Sequence, residues 1–204
     1  MLTRLFLIRH GRSVWNAEGR IQGHADPPLD GMGREQARRL AGRLQGGAMV
    51  ALYTSPLQRA RETADIIGQA LGVPVVVEER LKEYGIGVVT GLTFEQVAEQ
   101  YPDVARRWTA AQEDLDIPGE EGNAQFRARV VAAFDDIVSQ HEDGPVGVVA
   151  HGGTFGAYLN HLIGLAQWHS PFRFGNGSLT IVEVNPVRPR IVLLNDTCHL
   201  RGEA

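Results

Sequence analysis

The stretch that most limits the fold is Leu5-Phe6-Leu7-Ile8-Arg9-His10-Gly11, an apolar run that ends without a spacer in two basic residues and a glycine. Consecutive large apolar side chains suit a strand buried on both faces, as in a parallel sheet covered by helices. Two further runs repeat the pattern: Leu52-Tyr53-Thr54 passes into Ser55-Pro56, and residues 146–150 pass into His151-Gly152-Gly153-Thr154. Each is followed by helical rather than alternating periodicity. Ala37, Leu40, Ala41 and Leu44 share one helical face, with Asp30 as the N-cap. Ser55 as cap and Pro56 in the first turn open a second helix striped by Leu57, Ala60, Ala64, Ile67 and Leu71. Thr93-x-x-Gln96 is a capping box, and Phe126, Val130, Ala133, Phe134 and Ile137 mark a long amphipathic helix. Residues 178–184 and 191–194 are the late strands. The expected architecture is α/β, a three-layer sandwich with a mostly parallel central sheet flanked by helices, in a single domain over residues 1–204. Residues 80–125 are the least sheet-like and are expected to form a helical insertion over one edge.

Composition narrows the function classes. The 204 residues are 43% hydrophobic and 22% charged, enough for one ordinary core, and no stretch is apolar for the length of a membrane span. A soluble cytoplasmic protein is expected, and the lone Cys198 has no internal partner for a disulfide. The net charge of −4 provides no basic field for nucleic acid, so an anionic ligand must be held by cations gathered locally. Lys82 is the only lysine, a bias that base composition alone can produce, and arginines are therefore judged by position. No heptad or apolar edge indicates an oligomeric state.

In open α/β sheets, ligands bind beyond the carboxyl ends of the strands. Arg9-His10-Gly11, Ser55-Pro56-Leu57-Gln58-Arg59 and His151-Gly152-Gly153-Thr154 all fall at that edge. Taken singly, each is a common surface or turn feature; together they bring two histidines and two arginines to one place. Arginine forks and helix N-termini suit phosphoryl oxygens, and histidine serves as nucleophile, proton shuttle or metal ligand. Metal is not expected: there is no HExxH, no paired Cys/His spacing and no DxDxDG loop. A C-x5-R phosphatase loop fails because Ala204 stands six residues after Cys198, and GxxxxGK[ST] and GxSxG are both missing.

"LIRHGRSVWN" followed by "RIQGHADPPLDGMGREQA" resembles the histidine phosphatase superfamily, the group that includes cofactor-dependent phosphoglycerate mutases, and within it the broad-specificity phosphatase branch. The likeness continues through "YTSPLQRARETA", "LKEYGIG", "PGEEGNAQFRARV", "VVAHGGTFGAYL" and "NGSLTIVEV". It implies a metal-independent, cofactor-free phosphomonoester hydrolase acting on a small phosphorylated metabolite. By the same resemblance His10 is the nucleophile, Arg9, Arg59 and His151 form the phosphate pocket, and Glu83 is the proton donor. Asn16 and Gln22 complete the phosphate contacts, and Gly23 and Gly152 offer backbone amides. On this reading Gly11 turns the chain away so that phosphate can approach. Phosphoryl transfer spreads negative charge over three oxygens, so a nucleophile fixed at a strand end among cations is suited to it.

Two alternatives remain. Mutases of the family have a longer insertion, a downstream lysine and paired arginines for a carboxylate; here Arg80-Leu81-Lys82-Glu83-Tyr84-Gly85 stands at the matching place and the lysine is missing. Arg106-Arg107 offers a pair, although "YPDVARRW" reads equally as an exposed helical face. A binder without turnover is the second alternative, opposed by the presence of His10, Arg59, Glu83 and His151. The chain departs from the phosphatase pattern at Val89-Thr90, where a Trp-Glu pair is usual, and at Gly122, where a serine is usual. Both bear on substrate preference. Of the other histidines, His24, His141, His161, His169 and His199 are read as structural or surface groups, with His24 nearest the site. Trp15, Trp108 and Trp168 are read as packing residues, with Trp108 placed to line the entrance.

Overall fold

The computed structural model describes residues 2–110, 115–141, 144–166, 170–185 and 188–201. The apolar runs become strands β1 (Thr3–Arg9), β2 (Ala51–Thr54), β4 (Pro145–Ala150), β5 (Leu179–Val184) and β6 (Arg190–Asp196), joined by a short edge strand β3 (Val75–Val77). They form one sheet in the order β3-β2-β4-β1-β5-β6. After β1 comes the one-turn helix α1 (Val14–Ala17); helices α2 (Gly31–Leu44) and α3 (Gln58–Leu71) cover one face, and α6 (Asn123–Gln140) and α7 (Gly152–Leu162) the other. Along β1 the pleat sorts the side chains: Leu5 and Leu7 enter the α6/α7 core, while Ile8 enters the α2/α3 core with Phe6 packed beside it.

The sheet is mixed, which corrects the expectation of a mostly parallel one. Strands β1, β2, β3 and β4 run parallel, but β5 is antiparallel to both of its neighbours, β1 and β6. The cause lies in the connections. After α7 the chain returns across the carboxyl edge of the sheet, where Phe174 accepts a hydrogen bond from Arg9 Nη1 and Gly177 N–H donates to the Arg9 carbonyl (3.1 Å). A strand that starts at that edge must run the opposite way to β1. The link from Val184 to Arg190 is then too short for a parallel crossover, which needs a dozen or more residues.

The predicted helix stripes are buried: Ala37, Leu40, Ala41 and Leu44 on α2, Ala60, Ala64 and Ile67 on α3, and Phe126 to Ile137 on α6. Asp30 caps α2 through Gly33 N–H (2.7 Å). The Thr93–Gln96 capping box opens α4 (Phe94–Gln100). Ser55 does not cap α3. That helix starts at Gln58 with Leu57 at the cap position, and the Ser55 hydroxyl turns inward to His151 Nε2 (2.8 Å). Between β3 and α6, two 3-10 turns, α4 and α5 (Pro102–Thr109) gather over the sheet edge around their own cluster of Val89, Val97, Val104, Ala105, Leu115 and Ile117. Val89 is thus a core residue of this layer, and Gly122 sits at φ 85° before α6, a conformation that favours glycine over serine. Among the described residues no helix is long and apolar enough to cross a membrane.

Candidate active site

The register of β1 on β4 pairs Arg9 with Ala150, so one step further brings His10 beside His151. Their ring centroids are 5.1 Å apart, close to the spacing of neighbouring strands. The backbone that carries them is pinned: His10 N–H donates to the Ala150 carbonyl (3.1 Å) and Ser55 N–H to the Val149 carbonyl (3.0 Å). The site therefore inherits the rigidity of the sheet.

His10 is 3% exposed. Its Nδ1 lies 2.7 Å from the Gly11 carbonyl, which can only accept, so Nδ1 carries the proton and Nε2 is left with its lone pair. Burial, reinforced by the Arg9 and Arg59 guanidinium groups, holds this imidazole well below the usual histidine range and keeps it neutral. His151 is fully buried and lowered by the same causes, burial first and then Arg59. Arg59 is lowered to about 10, mainly by burial, and Arg9 is lowered by burial with Glu83 opposing the shift.

A cavity of about 310 Å³ opens at this edge, lined by Arg9, His10, Asn16, Gln22, Gly23, Arg59 and Glu83. Seven of the nine predicted site residues thus share one space. His151 stands behind His10, and Gly152 begins α7 beside Arg9; neither is part of the lining. Arg59 spends Nη1 on the Ala25 carbonyl (2.7 Å) and Nη2 on the Gly23 carbonyl (3.0 Å), so it also shapes the loop that carries Gln22 and Gly23. Gly23 sits at φ 50°, and a Cβ there would lie 2.8 Å from Ile86 Cγ2. Buried and without a hydrogen-bond partner are Arg9 Nε, Arg59 Nε and His151 Nδ1.

The two amide side chains are oriented by their neighbours. Asn16 Oδ1 accepts from Ser13 N–H (3.2 Å) and from Asn176 Nδ2 (3.0 Å), while Gln22 Oε1 accepts from the Ser13 hydroxyl (2.8 Å). With both oxygens engaged, the NH₂ groups remain for the cavity. Asn176 and Ser13 belong to this site, and sequence reasoning gave neither a role; the only signal was their place inside two of the quoted segments.

Glu83 lines the same cavity as His10. Its Oε2 accepts from Gly153 N–H at the start of α7 (3.0 Å), and its Oε1 accepts from Tyr84 N–H (2.8 Å). A Cβ at Gly153 would lie 2.3 Å from Oε1, so any side chain there would push the carboxylate from its place. Gly11 has a different task from the one expected. A Cβ there would meet the Gly33 carbonyl oxygen at 2.4 Å, so its missing side chain admits the backbone of α2 rather than a phosphate. Ile21, Tyr84, Ile86 and Trp108 form the outer wall, and Leu115, Ala157 and Ser170 extend it into an adjoining space of about 210 Å³.

Of the remaining candidates, Trp108 alone among the described residues lines the cavity. Arg106 pairs with Asp103 and Arg107 with Asp116 on the surface of α5, and neither lines the cavity. Trp15 packs under Gly91, Trp108 lines the entrance, and His24 donates from Nε2 to the Glu83 carbonyl (2.8 Å). Trp168 and His169 lie outside the described residues. Among the described residues no group of three or more His, Cys, Asp or Glu could hold a metal ion.

A neutral histidine between guanidinium groups at the carboxyl edge of an α/β sheet defines a protein that handles phosphoryl groups. The family model of the histidine phosphatase superfamily (branch 1) matches residues 5–197, and the chain belongs to that family. It is 34% identical over 201 residues to phosphoserine phosphatase 1 of Hydrogenobacter thermophilus, covering 98% of this chain and 95% of that one. It is 36% identical over 203 residues to the metal-independent phosphoserine phosphatase of Arabidopsis thaliana, covering 98% and 84%. Among solved structures, YhfR of Bacillus stearothermophilus superposes with a TM-score of 0.91 at 31% identity, covering 98% of this chain and all of that one.

Proposed function

We propose that this chain is a phosphatase that hydrolyses a small phosphomonoester through a phosphohistidine on His10, without metal or cofactor. One observation carries the proposal: the His10 imidazole is tied through Nδ1 to Gly11 O and held neutral, so Nε2 is a ready nucleophile between Arg9 and Arg59. Phosphate oxygens are received by the two guanidinium groups, by the NH₂ groups of Asn16 and Gln22, and by the amide of Gly23. Leaving buried donors such as Arg9 Nε and Arg59 Nε without a partner costs ~1–3 kcal/mol each, a cost retained where charge is to be stabilised. Glu83 protonates the departing oxygen and then takes the proton of the water that attacks the phosphohistidine, in-line with the reversed geometry.

The leaving group extends toward Ile86 and Trp108. Hydrolysis is favoured over mutase chemistry because Arg106 and Arg107, the arginine pair offered by the sequence, are tied to Asp103 and Asp116 on the surface and do not line the cavity. The named activities of the relatives make phosphoserine the first metabolite to try. We place this activity in one domain over residues 1–204, working in the cytoplasm. Rapid quenching with a ³²P-labelled phosphomonoester tests the proposal: an acid-labile, base-stable adduct is expected in the wild type, and none in His10→Ala, which is also inactive. Turnover without such an adduct, or an adduct that persists in His10→Ala, overturns it.

A further inference from the structure

We propose that Arg129, a helix residue outside the cavity lining, is the positioning residue that sets Glu83 for proton transfer; the inference rests on the role of Glu83 given above. The segment that carries Glu83 is a 3-10 turn (Glu79–Leu81) followed by irregular chain, so no sheet ladder fixes it. Its carbonyls are held instead by side chains. Arg129 Nη1 donates to the carbonyls of Arg80 (2.7 Å) and Lys82 (2.8 Å), and Nη2 donates to that of Glu83 itself (2.9 Å). The remaining donors, Nε and Nη2, close a fork on the Glu121 carboxylate, with Nη2 at 2.8 Å. Every N–H of the guanidinium is thereby used, a satisfied arrangement that no lysine can copy.

Glu121 extends the clamp. Its Oε2 accepts from Gly85 N–H (3.1 Å), and its own N–H donates to the Gly85 carbonyl (2.7 Å), so the chain is gripped on both sides of Glu83. The Arg129 side chain is 18% exposed and that of Glu121 11%. The guanidinium carbon also sits 4.9 Å over the Phe126 ring, which is fully buried in the α6/α7 core. The clamp thus ties the acid–base residue to α6, while Gly153 N–H at the start of α7 fixes the carboxylate from the other end. Two helices of one layer set the distance between proton donor and nucleophile. Arg129 lines neither the cavity nor the space beside it.

The test is the leaving-group dependence of kcat/KM, which reports the step in which Glu83 donates its proton. Arg129→Lys and Glu83→Gln are each assayed with an alkyl phosphate, which needs protonation on departure, and with p-nitrophenyl phosphate, which needs it little. In Arg129→Lys the ratio of alkyl to p-nitrophenyl kcat/KM is expected to fall by about tenfold or more, the effect of a misplaced group of this kind. In the Glu83→Gln background, Arg129→Lys is expected to lower that ratio no further. Glu121→Gln, which keeps an acceptor and the fold of the clamp, is expected to move the ratio the same way by a smaller factor. Equal losses on both substrates, or losses that multiply with those of Glu83→Gln, overturn the assignment while leaving the acid intact. A Glu83→Gln enzyme with an unchanged ratio removes the acid role itself, and this inference with it.

Discussion

Gly153→Ala separates the chemistry of the site from its stability. A Cβ at this position lies 2.3 Å from Glu83 Oε1, 3.1 Å from Cδ and 3.3 Å from Oε2, whereas ordinary contact begins at 3.4 Å. The carboxylate must therefore retreat by about 1 Å, and a displacement of that size costs on the order of 100-fold in rate when the displaced group acts in the transition state. The backbone has no reason to object. Gly153 lies in the first turn of α7 without a positive φ, and alanine in a helix is favoured over glycine by about 0.5–1 kcal/mol. The expected variant is as stable as the wild type or more so, yet loses about two orders of magnitude in kcat/KM on an alkyl phosphate and less on p-nitrophenyl phosphate. Urea denaturation and steady-state kinetics on one preparation provide both numbers. Wild-type hydrolysis of the alkyl phosphate by the folded variant would refute the placement of Glu83 against the α7 N-terminus.

Two further predictions concern stability. In Gly11→Ala the new Cβ would stand 2.4 Å from the Gly33 carbonyl oxygen, a backbone atom that cannot rotate away, so a loss of about 1–3 kcal/mol is expected from the urea midpoint; a change below about 0.5 kcal/mol would contradict the close approach. His10, His151 and His199 are all lowered, with burial the largest cause in each, so the unfolded chain takes up protons through pH ~6.5 while the folded chain does not. Stability is then fully present above that pH and falls as pH drops below it, by up to ~1.4 kcal/mol per pH unit for each of the fully buried His10 and His151 and by less for the half-exposed, solvent-screened His199, until the folded groups protonate too. Denaturation between pH 8 and 5 is expected to show this slope, and His10→Gln to make it shallower. A flat profile over that range refutes the burial argument.

Much of this arrangement was legible because its signals are local. An apolar run ending in Arg9-His10 can only be a buried strand with its polar end at an edge, and the stripes of α2, α3 and α6 follow from spacing alone. The antiparallel β5 is not legible in sequence: Leu179 to Val184 carries no mark of strand direction, which is set by Phe174 and Gly177 lying against Arg9 at the carboxyl edge. Val75–Val77 is too short for any periodicity to mark it as a strand. Ser55 looked like a helix cap because Ser-Pro usually is one, and only the nearness of β4 reveals its bond to His151. Arg129 was hidden most completely. On α6 it resembles any basic helix residue, and its acceptors are backbone carbonyls some 46 to 49 positions away, which no side-chain pattern announces.

The pairing of β1 with β4 works as a ruler. A slide of one residue between them would leave Arg9, not His10, across from His151 and would turn every side chain of β1 to the wrong layer. Leu5, Leu7 and Ile8 forbid that slide, since each fits a core on its own side. The greasy side chains that never meet a substrate are thus what keeps the two imidazoles abreast.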